Sequence, residues 1–144
     1  MAYTTNGTMD IRNLSTRSVD HFLVKSGVKI YQGMHLSRTA GAVTVEPCTD
    51  DAGANVFAGV AAEESEIGDG TTVYVKVYNH FERRVSLRSS VTAAQLEKAL
   101  YAYDDEQLTE VSSRGPIVGV LKEFIASGDG WVRYGDPAIG PAAS

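Results

Sequence analysis

The chain has 144 residues, 43% of them hydrophobic and 22% charged, with 13 Lys+Arg against 18 Asp+Glu and a formal charge of −5. That is one domain's worth of chain, able to bury roughly 68% of its unfolded surface without disulfides or metals. The acidic balance disfavours a whole-chain grip on nucleic acid, the single cysteine, Cys48, excludes an internal disulfide framework and a Cys-rich zinc site, and no apolar run approaches the ~20 residues of a membrane span.

Residues 1–19 read as an N-terminal arm. Polar stretches at 4–8 and 15–18 surround Ile11 and Leu14 as isolated apolar anchors. The arm lacks the apolar centre of a signal peptide, so a chain made and used without secretion is expected. Residues 20–134 carry a β signal. His21-Phe22-Leu23-Val24 is a short apolar run, and Gly27 and Gly33 bracket Val28-Lys29-Ile30-Tyr31. Met34-His35-Leu36, Ala42-Val43-Thr44-Val45 and residues 56–61 have strand composition, the second stopped by Pro47. Residues 71–78 alternate, with Val73, Val75 and Val77 facing one way and Tyr74, Lys76 and Tyr78 the other. Phe81, Arg83, Val85 and Leu87 alternate against Glu82, Arg84, Ser86 and Arg88.

Residues 92–100 break the pattern. Their helix propensity predicts one short helix of about two turns, capped by Thr92 and burying Ala93, Leu96 and Leu100. A hairpin around Asp104-Asp105-Glu106 follows, then a last pair over 116–125 and 130–134. Residues 135–144 form a C-terminal tail that contains two of the four prolines. The expected fold class is mainly β, a small barrel or sandwich of short antiparallel strands with one short helix.

An internal echo runs at an offset of 60. Gly59-Val60, Glu63, Gly68-Asp69-Gly70 and Tyr74 recur as Gly119-Val120, Glu123, Gly128-Asp129-Gly130 and Tyr134. The expectation is a repeated hairpin in which the interior glycine marks a bulge or close backbone approach and Asp-Gly supplies the tight turn. Convergent turn chemistry in a glycine-rich chain is the competing explanation.

The search for catalytic chemistry finds none. His21, His35 and His80 are scattered without metal-ligand spacing, and no nucleophile elbow, phosphate loop or dinucleotide fingerprint is present. Cys48 precedes Thr49-Asp50-Asp51, an acidic neighbourhood that raises a thiol pKa, and so reads as a packed thiol. The acids at Glu63, Glu64, Glu66 and Asp69, and at Asp104, Asp105 and Glu106, lack calcium-loop spacing and read better as solvated loops. No enzyme, cofactor or metal is expected.

Charge falls in blocks. Residues 1–48 carry +2, residues 49–74 −6, residues 75–98 +3 and residues 99–144 −4. Surface noise is one explanation; complementary patches that meet copies of the chain or another protein are the other. Arg84 and Arg88 are expected on one strand face and Arg83 on the other.

The order of motifs is more specific than any one of them. Val24-Lys25-x-Gly27-x-x-Ile30-x-x-Gly33 precedes Val56-Phe57-x-Gly59-Val60-Ala61-x-Glu63 and Thr72-Val73-x-Val75. Val91-Thr92-Ala93 leads to Leu100-Tyr101-x-Tyr103-Asp104-Asp105 and Leu108-Thr109, and Pro116-Ile117-Val118-Gly119-Val120 precedes Gly130-Trp131-Val132. Over roughly residues 20–134 this resembles the capsid cement or head decoration proteins of tailed bacteriophages. That family usually has a glycine just before the strand with the Tyr-x-x-Asp-Asp pattern, where this chain has Lys98-Ala99.

The resemblance implies a structural virion protein, made in the host cytoplasm, that binds the outer capsid surface and clamps neighbouring major capsid proteins. The implied partners are the major capsid protein and copies of the chain itself, trimers being common among such proteins, with no direct nucleic acid and no membrane. Position alone nominates Tyr3, Ile11, Arg12, Leu14 and Arg17 in the arm, with Arg84 and Arg88, as interface residues. A small carbohydrate- or receptor-binding β module is the alternative, with Tyr31, Tyr74, Tyr78, Trp131 and Tyr134 as a stacking platform.

Overall fold

The computed structural model describes residues 5–7, 9–12, 19–39, 41–49 and 55–135. Among the described residues, eleven strands form two β bodies. β2 (Val19–Val24), β3 (His35–Thr39), β4 (Thr44–Pro47), β5 (Asn55–Ala61) and β6 (Tyr74–Tyr78) close a five-stranded barrel in the order β2-β4-β3-β5-β6. β1 (Asp10–Arg12), β7 (Phe81–Ser86), β8 (Ala99–Ala102), β9 (Leu108–Thr109), β10 (Ile117–Ala126) and β11 (Asp129–Tyr134) form a sheet in the order β1-β7-β11-β10-β8-β9. The mainly β class holds, as a closed barrel with a separate sheet beside it.

Alternation sets the core. In β6, Val75 and Val77 point into the barrel while Tyr74 faces solvent. Val24, Ile30, Leu36 and Val45 complete that interior. In β7, Phe81, Arg83 and Val85 all point inward. They join Leu100, Leu121, Val132 and Tyr134 of the sheet, and Val60 and Cys48 from the barrel side, in a second core between the two bodies. Val28-Lys29-Ile30-Tyr31, read as a strand from sequence, belongs to none of the eleven. It docks instead on 65–68: Gly68 N–H donates to the Val28 carbonyl (2.8 Å) and Ser65 N–H to the Ile30 carbonyl (3.0 Å). Ile30 is thereby fully buried in the barrel core.

The helix expected over 92–100 is corrected. Thr92 does cap, accepting from Ala94 N–H (3.3 Å), but the helix is one 3₁₀ turn, Ala93–Gln95. Glu97 then takes a left-handed conformation (φ 65°) and donates its N–H to the Leu121 carbonyl at 2.8 Å. The edge of β10 thus captures the chain, and Leu100 enters the core as part of β8 while Leu96 stays 39% exposed. Tertiary pairing overrides a local propensity worth tenths of a kcal/mol per residue. The left-handed turn before this strand falls on Glu97, whose carboxylate pairs with Lys122 (2.8 Å).

The repeated hairpin expected from the offset-60 echo is not formed, although its two interior glycines behave alike. Gly59 and Gly119 both follow a bulged residue, Ala58 against β3 and Val118 against β8, and both allow close backbone approach. The shared turn fails. The reversal after β10 is Ser127-Gly128, and Asp129-Gly130 already lie in β11, whereas Asp69-Gly70 sit in a long connection. In that connection Asp69 Oδ1 accepts from the N–H groups of Thr71 (2.9 Å) and Thr72 (2.7 Å).

A Cβ at Gly119 would overlap the Arg133 carbonyl, which the sheet holds in place. Gly27 has φ +80° but open space around it. Gly119→Ala is therefore expected to lose at least ~2 kcal/mol in denaturant unfolding, from overpacking against fixed backbone. Gly27→Ala is expected to lose only the ~1 kcal/mol of a left-handed alanine. Equal losses at the two positions would contradict this packing.

Candidate functional site

Of the seven residues nominated from position, Tyr3, Leu14 and Arg17 lie outside the described residues. Ile11, Arg12 and Arg84 come together on β1 and β7. β1 pairs antiparallel with β7, and β7 with β11, so that cross-strand rows form: Arg12, Glu82 and Arg133 in one, Asp10, Arg84 and Trp131 in the next. Both rows face outward, while Ile11 packs inward against the second core.

Arg12 is the centre of this face. Its guanidinium lies 4.1 Å from the Trp131 ring centroid, and its Nε donates to Glu82 at 2.7 Å. A third contact reaches Glu123 at 3.5 Å. Arg133 Nε donates to the other Glu82 oxygen at 3.3 Å, and the Glu82 side chain is only 7% exposed. An exposed pair contributes about 0–1 kcal/mol, but removing a cation beside a buried carboxylate is far more destabilising. Arg84 forks onto Asp129 (2.6 and 3.0 Å), which raises the arginine's pKa and lowers the aspartate's. The arm touches the barrel too: Gly7 N–H donates to the Gln32 carbonyl (2.7 Å), and Asn6 accepts from Gln32 N–H (2.9 Å).

Arg88 lies past the end of β7 and has other neighbours. It stacks on Tyr103 with its guanidinium carbon 4.0 Å from the ring centroid, and Arg114 approaches the same ring at 4.9 Å. With Ser90, Thr109 and Val111 they line a pocket of about 350 Å³. The five aromatics of the binding-module alternative do not share a face. Tyr134 is in the core, Trp131 is on the outer sheet face under Arg12, and Tyr31, Tyr74 and Tyr78 belong to the barrel region.

The seam between the bodies holds residues whose partners the sequence does not reveal. His35, fully buried, accepts at Nε2 from the Tyr134 hydroxyl (2.8 Å). Its Nδ1 therefore carries the proton and donates to the Asp105 carbonyl (3.2 Å), which also accepts His35 N–H (2.8 Å). Tyr134 stacks on His35 on one side and on Phe81 on the other, with centroids 5.7 and 4.8 Å away. Arg83 crosses the seam to donate to the Gly33 carbonyl at 2.8 Å. Strand alternation marked Arg83 as inward-facing and Met34-His35-Leu36 as a strand, but no local signal tied His35 to Tyr134, 99 positions away.

Burial first, and the Arg83 charge second, hold the His35 pKa well below the ordinary 6.5. Below pH 6.5 the unfolded chain binds a proton here that the folded chain does not. Stability is thus expected to fall as the pH drops below that value, by up to about 1.4 kcal/mol per pH unit from this group. Denaturant midpoints across that window should show the slope in the wild type and a shallower one in His35→Gln; identical slopes would mean that His35 is not the titrating group. Burial also pushes the Cys48 thiol up to about 12. Iodoacetamide should leave Cys48 unmodified in the native protein and alkylate it in denaturant, and native labelling at the unfolded rate would contradict a packed thiol.

No protein-family model and no curated protein matches this chain.

Proposed function

We propose that the chain is a structural protein that binds the outside of a phage capsid and clamps neighbouring major capsid proteins, as its motif order implies. The observation that carries the reading is the arm. Its residues 5–7 touch the chain at Gln32, and residues 10–12 form an edge strand of the sheet, fastened by Arg12 to Trp131, Glu82 and Glu123. A terminal segment that lies along a sheet edge is well suited to lattice contacts, because strand addition uses backbone hydrogen bonds that any neighbouring strand can supply. The outer face beside it offers charges of both signs around an aromatic ring, which suits recognition by complementarity. Each contact can be modest, since a lattice engages many copies at once.

Purified protein added to expanded heads that lack it should bind to a fixed copy number and raise the temperature at which the heads disrupt. Absence of binding would remove the reading. A chain without residues 1–18 should bind heads more weakly while circular dichroism still reports its β content; unchanged binding would show that the arm is not an anchor.

A further inference from the structure

We propose that Asn6-Gly7 is a site of spontaneous deamidation, and that the reaction unfastens this part of the arm from Gln32 and Glu64. It is the one Asn-Gly pair in the sequence, and Asn-Gly is the dipeptide best suited to this chemistry. Glycine has no Cβ to shield its backbone nitrogen, and its freedom in φ and ψ lets that nitrogen reach the side chain before it. The Gly7 nitrogen attacks Asn6 Cγ and gives up its proton, the Cγ–Nδ2 bond breaks, and ammonia leaves. Water then opens the succinimide ring at one of its two carbonyls, which yields aspartate or isoaspartate. Nothing is oxidised or reduced.

Docking occupies both reacting groups. Gly7 N–H donates to the Gln32 carbonyl (2.7 Å), and Gln32 Nε2 donates to the Gly7 carbonyl (3.0 Å). Asn6 Oδ1 accepts from Gln32 N–H, and Asn6 Nδ2 donates to Glu64, each at 2.9 Å. Glu64 is fixed in turn by Lys29 at 2.7 Å. The Gly7 nitrogen must leave the Gln32 carbonyl before it can attack. Asn6 is exposed and its hydrogen bonds lie at the surface, so local opening takes little free energy.

The product cannot remake the clamp. An aspartate at position 6 keeps an oxygen for Gln32 N–H but has no donor for Glu64. It also sets two carboxylates beside the single ammonium of Lys29, where they repel. Glu64 is itself ionised at neutral pH, its pKa lowered by the donors Lys29 and Asn6. Isoaspartate adds a backbone methylene before Gly7, which shifts the Gly7 pair off Gln32. The pairing of β1 with β7 starts only at Asp10, so the release is confined to the segment before it.

The test follows the tryptic peptide Met1–Arg12, in which Asn6 is the only side-chain amide, by mass spectrometry of the full chain incubated at mildly alkaline pH. In guanidinium chloride Asn6 should convert from amide to acid, and Gly7→Ala should slow that conversion. The native chain should convert at least ~threefold more slowly than the unfolded one, the protection of about one exposed hydrogen bond. Glu64→Ala, which removes the acceptor for Asn6 Nδ2, should bring the native rate towards the unfolded one. Equal native and unfolded rates, or no conversion in guanidinium chloride, would overturn the site. Amide hydrogen exchange reads the unfastening separately: Asn6→Asp should lower protection at the Gly7 and Gln32 N–H groups at least ~threefold and leave β1 and β7 as in wild type. Unchanged protection at Gly7 would overturn the unfastening, and lost protection along β1 would overturn its confinement. Neither readout needs a capsid particle, so both outcomes are separate from that of the head-binding assay.

Discussion

The hydrogen bond between His35 and Tyr134 is the constraint on which the two-body arrangement depends. Barrel and sheet each pair their own strands, and the barrel encloses its own core, but the inner face of the sheet is buried only where the two bodies meet. They meet where His35, on the first strand of the β3–β5 pair, faces Tyr134 at the end of β11. A buried imidazole stays uncharged, because burial opposes protonation, and must have both ring nitrogens satisfied. Here the Tyr134 hydroxyl satisfies one and the Asp105 carbonyl the other. The Asp105 loop is thereby drawn in from the β8–β9 hairpin, so one side chain ties three separate segments together. The aromatic stack of His35, Tyr134 and Phe81 fills the space around that bond. Arg83 repeats the logic nearby, with a long side chain carrying its charged head to a carbonyl of the other body.

That seam also determines what is left for the surface. With Phe81, Arg83 and Val85 committed to the interior, the alternate residues Glu82 and Arg84 must face outward with Trp131 and Arg133. The arm then has a sheet edge to lie on and a ring to cover. Its contacts are of two kinds. Backbone pairing with β7 carries no sequence preference, whereas the Arg12 contacts to Trp131 and Glu82 do. A segment held this way has a defined register, which matters if it is to present the same surface in every copy of a lattice.

Most of the strands were legible because β periodicity is local. Val75 and Val77, and Phe81 and Val85, declare their burial through alternation with polar neighbours, and the hairpin around Asp104 is marked by its turn acids, Asp104 Oδ1 accepting from the Glu106 and Gln107 N–H groups. The bulges at Ala58 and Val118 were legible through the glycine beside each. The 92–100 segment departs from its helical expectation because helix propensity is a weak local term, and the Leu121 carbonyl and the β8 slot are distant competitors. Of the surface residues, Arg12 and Arg84 stand out by position, but nothing local joins Glu82, Trp131 and Arg133 to them, since cross-strand neighbours are set by pairing order.

The sequence by itself determined the class of fold, the positions of most strands and the inward or outward sense of their side chains, because these follow from a two-residue period and from turn chemistry. Only the tertiary structure decided that five strands close into a barrel while six make a sheet, that His35 meets Tyr134, that the arm lies on β7, and that Arg88 and Arg114 share one tyrosine. Those facts depend on which strands pair across long stretches of chain, and pairing is chosen by the joint burial of both bodies. The initial charge of −5 acquires a finer meaning in that light. Arginines of the positive blocks meet arginines of the acidic block 99–144 at two places, the Arg12–Arg84–Arg133 face and the Arg88–Arg114 pocket, each built from residues far apart in the chain.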